Sequence, residues 1–330
     1  MFRHLTFKLL AATVAVVGAV ALLLSLTLLI PGDPATVLLG PRATPEAVAA
    51  LNTQMGLDLP LPLRLLRFLG HALQGDLGKD VTNGRAVLDI LLDALPNTAL
   101  LAFSSIFLAV LAGFPLGAIS ALKPGGWADQ VIAFMSVGFV SAPSFVSSIF
   151  LLLVFALWLQ WFPVLGAGEG GDPVDQLWHV VLPSVALAIT WVGYIARLLR
   201  SSLLEVLNEP YIRTMRAYGV RESVVVMKYA LKPACIPTLA ILGMGIGELL
   251  GGAVFAEVIF NRPGLGSLIY DSIEIRNYPV VQGGVLVIVI LFVLANLLVD
   301  LAYAWIDPRV RARIVSQITP EPTISAEPAA

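Results

Sequence analysis

Six stretches of this chain run for 18 residues or more with few or no charged side chains, at positions 9–30, 98–122, 131–161, 179–196, 236–258 and 280–299. In a bilayer every backbone N–H and C=O must be satisfied within the spanning segment. A helix of roughly 20 apolar residues, long enough for about 30 Å of hydrocarbon, is therefore what such a run can form. The whole chain is 58% hydrophobic and 13% charged, and a soluble domain carries about 25% charged residues. The expected fold class is an all-α integral membrane protein with six transmembrane helices. The third run contains Pro143, which removes a helical donor and predicts a kink or split there.

Positive charge sets the orientation. With the N-terminus inside, the inner segments 1–8, 122–130, 197–235 and 300–330 hold 13 of the 20 Lys and Arg residues, seven of them in 197–235. Five of the remaining seven lie in the long segment 31–97, where the rule has little force. This predicts an N-in, C-in chain. Arg3, His4 and Lys8 precede the first run, which gives about 33 Å of helix at 1.5 Å per residue. That exceeds the hydrophobic stretch of a cleaved leader and is read as a retained span. Cys235 is the only cysteine, so no disulfide within the chain is available, and it is read as a packed small residue.

The chain divides into residues 1–30 with the first span, an extracytoplasmic region 31–97, a transmembrane region 98–316 and a tail 317–330 rich in Pro, Glu, Ser and Thr, which is expected to be disordered. Within 31–97, Thr44 and Pro45 open a short helix that Gly56 closes. Leu63, Leu66, Phe68 and Leu69 mark a second helix suited to the membrane surface, and Asn83-Gly84 marks a turn.

The inner insert between the fourth and fifth runs carries the densest chemistry. Asn208 is a suitable cap for a short helix from about 209 to 218, with Pro210 in its first turn and Gly219 ending it in the left-handed conformation. Tyr211, Ile212 and Met215 offer an apolar edge, and Arg213 and Arg216 offer charge to an acidic groove. A second helix over about 222–232 leads into the fifth span. By spacing alone, the same features also describe an ordinary basic inner loop.

Glu209, Tyr211, Ile212, Arg213, Thr214, Arg216, Ala217 and Gly219 resemble, in register, the Glu-x-Tyr-Ile/Val/Met-Arg-Thr-Ala-Arg-Ala-Lys-Gly run of permease subunits from peptide/nickel-type ATP-binding-cassette importers. Met215 and Tyr218 replace the usual Ala and Lys, and Arg221 stands where Ser is common. Further segments resemble that family in order: Pro31-Gly32-Asp33-Pro34, Gly56-Leu57-Asp58, Gly75-Asp76-Leu77-Gly78, Asn261-Arg262-Pro263-Gly264-Leu265-Gly266 and Asp307-Pro308. The resemblance implies a type I permease bundle forming half of a translocation pore in the cell (inner) membrane, for dipeptides, oligopeptides, glutathione, nickel complexes or similar solutes. It also implies three kinds of partner: a second and different permease chain, two ATP-binding subunits that grip the 208–232 insert, and an extracytoplasmic substrate-binding protein received by 31–97 and the segment containing Asn261, Pro263, Gly264 and Gly266.

Gly243, Gly247 and Gly251 recur every fourth residue in the fifth run, beside Gly245 and Gly252. This ridge admits close helix approach, either to a partner permease or within the chain. Glu248, near the middle of that run, is expected to face a cavity or a partner. Glu257 lies near the outer end, beside the 261–266 loop. Asn296 and Asp300 are read as satisfying neighbouring helix ends, and His179 as interfacial. No phosphate-binding Gly-x-x-x-x-Gly-Lys-Ser/Thr motif occurs, so ATP hydrolysis is expected from partner subunits. No catalytic constellation, metal-ligand spacing, cofactor motif or nucleic-acid site is read from the chain. Two other classes fit a polytopic chain: an ion-coupled secondary transporter, with Glu248 as its one midplane ligand, and a non-transporting scaffold.

Overall fold

A computed structural model of the chain describes residues 2–29, 36, 43–54, 56 and 58–306. The elements are α1 (Phe2–Leu29), α2 (Pro45–Gln54), α3 (Leu61–Ala72), α4 (Val87–Leu122), α5 (Trp127–Ser141), α6 (Ser144–Leu151) extended by a π-helical turn (Leu152–Trp158), α7 (Pro173–Leu207), α8 (Pro210–Ala217), α9 (Glu222–Val224) with a second π-helical turn (Val225–Ala230), α10 (Leu231–Ile259), α11 (Leu265–Glu274) and α12 (Tyr278–Ile306). Among the described residues no strand forms; Lys79 and Ala86 make one isolated antiparallel bridge. Pro31–Pro34, Leu57 and Asp307-Pro308 of the sequence motifs, and the tail, lie outside the described residues.

Five helical stretches are long and apolar enough to cross a membrane, and the bent pair α5–α6 makes a sixth. The pair bends by 104° at Pro143, where the sequence predicts the interruption. It is one crossing. Its inner end sits beside α7 through Asp129, and the segment after Trp158 reaches the outer end of α10, where Gly166 N donates to Phe260 O (2.9 Å).

The spans pack through missing side chains. Cβ atoms placed on Gly113 and Gly117 of α4 would stand 2.7 Å from Ile195 Cβ and from Ala196 O of α7, and one on Gly193 of α7 would stand 2.7 Å from Ser136 O of α5. Lipid offers no hydrophobic drive for helix association, so close backbone approach and the dispersion contacts it permits must supply it. Around this seam Leu101, Ala109, Leu187, Trp191 and Ile195 form the central core.

One polar node ties the inner ends of α4, α5 and α7. Asp129 accepts from Arg200 Nε (2.6 Å) and Nη2 (2.7 Å), from Gly125 N (2.8 Å) and from Ser120 Oγ. The carboxylate is buried while Arg200 is one-third exposed, so the guanidinium keeps part of its hydration and the desolvation cost falls mainly on Asp129.

The outer region follows its turn chemistry. Thr44 Oγ1 accepts from Ala47 N at 3.3 Å at the start of α2, and Gly56 has φ 68°. Gly75 and Gly78 have φ 79° and 86°, which only glycine adopts at little cost. Between them Asp76 Oδ1 accepts from Gly78 N (2.9 Å), a bond that, with His71 beside it, lowers the Asp76 pKa. The turn sends Leu77 into a cluster with Val87, Leu91, Leu265 and Val280. In α3, Leu63 and Leu66 point outward while Leu65 and Phe68 pack on that cluster.

Replacing Asp129 by Asn is expected to lower stability in detergent by about 2 kcal/mol, the range for a charge-assisted hydrogen bond lost from a partly buried site. A thermal shift assay on the purified chain reads this; an unchanged midpoint contradicts it.

Candidate functional site

The inner candidate is α8. Glu209, not Asn208, occupies its N-cap position, and the helix starts at Pro210. Asn208 instead ends α7, with Nδ2 donating to Leu204 O (2.9 Å), because α7 runs helically to Leu207 and shortens the predicted loop. Gly219 ends the insert helix with φ 77°, as the sequence predicts.

The apolar edge of α8 faces inward. Ile212 is fully buried in a cluster with Ala121 of α4, Leu199 and Leu203 of α7, Val225 and Ala230 of the second π-helical turn and Ala234 of α10, and Met215 packs against it. The apolar edge expected from Ile212 and Met215 is present, and it packs on this chain's own spans. With so little polar cover beneath it, an eight-residue helix stays seated only by burying those side chains. Arg216 is engaged as well: Nη2 and Nε donate to Glu222 at 2.6 and 3.0 Å, and that bond raises the Arg216 pKa. Both partners are well exposed, so the pair contributes little stability but clasps the Gly219 turn. Thr214 Oγ1 donates to Pro210 O (3.0 Å) and Tyr211 Oη to Tyr229 O (3.4 Å). Glu209, Arg213, Ala217 and Tyr218 are left exposed. Among the described residues Arg213 makes no ion pair.

The outer candidate is the 261–267 turn, and Glu257 organises it. The Glu257 side chain is fully buried. Its Oε2 accepts from Gly266 N (2.7 Å) and Ser267 N (3.1 Å), the first amides of α11, and its Oε1 from Thr98 Oγ1 (2.6 Å). Thr98 Oγ1 in turn accepts from Leu265 N (2.8 Å). A carboxylate at a helix N-terminus satisfies donors that have no partner inside the helix. This explains the glycines: a Cβ on Gly264 would stand 2.3 Å from Glu257 Cδ, and one on Gly266 would stand 2.6 Å from Val254 Cα. Asn261 takes φ 46°, a conformation open to Asn among non-glycine residues. Pro263 stays exposed. Arg262 is buried with Nη2 on Asn97 Oδ1 (3.4 Å); burial lowers its pKa, and the charge of Glu257 opposes that. The sequence places Glu257 near this loop, but the roles of Thr98 and Asn97 are invisible there, since both come from 159 or more residues away.

The glycine ridge of α10 divides. Cβ atoms on Gly243 and Gly247 would meet Val299 and Phe292 of α12, and one on Gly245 would meet Trp191 of α7, whereas Gly251 has open space before it. Most of the ridge is thus packing within the chain. Glu248 is exposed beside Gly251 and makes no hydrogen bond or ion pair among the described residues. A charge facing lipid at that depth costs at least about 2.5–3.5 kcal/mol, so this face belongs against water or protein. Asn296 bonds its own helix at Phe292 O (3.0 Å) rather than a neighbouring helix end; the Asp300 side chain is not among those described. His179 is held by Asp175 O (2.8 Å). Among the described residues no group of three or more His, Cys, Asp or Glu has metal-binding geometry.

Gly264→Ala is expected to cost about 1–3 kcal/mol, because the Glu257 carboxylate is pinned by three donors and cannot yield to an added methyl. Loss of folded yield or a lowered thermal midpoint checks this; wild-type stability refutes it.

Comparison with known proteins agrees with these features. Residues 113–312 match the family described as binding-protein-dependent transport system inner membrane component, and residues 1–102 match the corresponding N-terminal region. The chain is 39% identical to a probable peptide ABC transporter permease protein, y4tP, of Sinorhizobium fredii over 92% of this chain and 97% of that one. It is 39% identical to the glutathione transport system permease protein GsiC of Salmonella paratyphi A (86% and 90% covered). It is 36% identical to the dipeptide transport system permease protein DppB of Alkalihalophilus pseudofirmus (94% and 100% covered). The fold is similar to the methionine ABC transporter MetNI in inward-facing conformations, with TM-score 0.53 at 20% identity over 66% of this chain and 96% of that one. The chain thus belongs to the binding-protein-dependent transport system inner membrane component family.

Proposed function

We propose that this permease subunit carries peptides or similar small solutes and that α8 is its point of contact with ATP-binding subunits. The chain is a non-catalytic membrane component of an ATP-driven importer, a class that the ion-coupled and scaffold alternatives do not fit. The peptide class rests on the named functions of the relatives. In this reading the partners are a second, different permease, two ATP-binding subunits and an extracytoplasmic binding protein, the last meeting the outer turns around Asn261–Gly266 and residues 43–97.

The observation that carries the reading is the burial of Ile212 among residues of α4, α7 and the entry to α10. A helix held this way moves with the spans as one body. A push on its exposed face, at Glu209, Arg213 and Tyr218, is delivered to three spans at once instead of being lost in a hinge. Arg213 supplies a positive charge on that face with no ion pair among the described residues, and Arg216 holds the turn behind it.

Arg213→Glu is expected to reduce co-purification of the ATP-binding subunits about tenfold, the effect of losing one charge-assisted contact of about 1.4 kcal/mol. Arg216→Glu should weaken it less, because its guanidinium is occupied by Glu222. Equal recovery of both variants with wild type contradicts the assignment. Gly219→Val is expected to abolish ATP-driven uptake at normal expression, since a β-branched residue at φ 77° resists the left-handed region. Normal uptake by that variant counts against a rigid insert.

A further inference from the structure

The break between α5 and α6 creates a small polar site that neither the packing of the chain nor its outer and inner contacts account for. A cavity of about 170 Å³ opens there, lined by residues of the break together with Thr190, Trp191 and Glu248. Pro143 has no N–H, so the Phe139 carbonyl gains no helical donor. The amides of Val146 and Ser147 both turn to Pro143 O (3.0 and 3.2 Å). Ala142 O is left with only a long 3.4 Å bond from Thr190 Oγ1. Ala142, which lines the cavity, thus brings a weakly satisfied carbonyl oxygen there from the negative end of α5. The α6 N-terminus opposes this with a partial positive charge, but Glu248 adds a full negative one. Trp191 also lines the space, packed against Gly245 and tilted on Tyr194 (5.5 Å between centroids).

The Ala142 carbonyl at the end of a broken helix, the Thr190 hydroxyl and a carboxylate with no partner among the described residues form an acceptor set suited to a monovalent cation and, at this size, to a primary ammonium group. Gly251, beside Glu248 on the same helix, has open space before it. We propose that this notch is a station in the translocation pathway that receives the α-ammonium group of a peptide, with Glu248 as its counter-charge. The proposal rests on the peptide reading given above.

The test uses the complete importer: this chain, its partner permease, the ATP-binding subunits and the binding protein. Glu248 is labelled with a carbodiimide in the presence of alanyl-alanine, N-acetyl-alanyl-alanine or sodium chloride, and modification is followed by mass spectrometry. Alanyl-alanine is expected to slow labelling at least fivefold, and the acetylated peptide and the salt are expected to leave it unchanged. Equal labelling in all three overturns the site. Protection by sodium alone overturns the peptide assignment in favour of an inorganic cation. In ATP-fuelled vesicles, Glu248→Gln is expected to lower dipeptide uptake about tenfold and Glu248→Asp to restore part of it. Uptake that survives Glu248→Gln unchanged defeats the ammonium site alone. A wild-type importer that accumulates no peptide defeats the peptide reading itself.

Discussion

Helices in lipid gain nothing from hiding apolar surface, because the surroundings are as apolar as they are. The bundle therefore depends on how closely backbones can approach, and the seam between α4 and α7 meets that need with Gly113 and Gly117 set against Ile195 and Ala196. Contacts at this range multiply weak dispersion terms that a larger side chain would forfeit. The Asp129–Arg200 node then fixes the relative height of the helices at the inner end, which a smooth glycine groove alone leaves free to slide.

The two faces of the molecule solve opposite problems with the same economy. Outside, a turn that must hold its shape is built around a buried acid: Glu257 satisfies the first amides of α11, and the surrounding glycines exist because any larger residue would collide with that carboxylate or with α10. Inside, a helix too short to persist alone is fastened by an aliphatic anchor, Ile212, and by a clasp across its closing turn. Each device is built from its own residues, with the spans between them.

Much of this was legible in the sequence, and the reasons differ by residue. The spans follow from unbroken apolar runs, and Pro143 announces its own interruption. Gly219 and Gly56 are positions where local backbone chemistry leaves few choices, and both take positive φ. Thr98 gave no signal, because its value lies in reaching Glu257 across the bundle. For Ile212 the hydrophobic spacing marks an apolar face without saying which neighbour covers it. Asn208 misled for a related reason: an Asn between two helices serves either as the start of one or the end of the other, and the uninterrupted length of α7 decided the matter. The glycines of α10 were ambiguous between partners, and the answer came out mixed along a single ridge.

The wide turn at Val225–Ala230 has a consequence for the geometry of the insert. A turn of this kind accommodates one residue more than an α-helix would at the same point. It thereby sets the rotational phase between everything before it and the span that follows. Removing one residue there would tighten the coil and swing the preceding segment by about 100° around the axis, one step of 3.6 per revolution. Arg213 would then look sideways along the membrane instead of into the cytoplasm, with no change in composition, charge or hydropathy to betray the error.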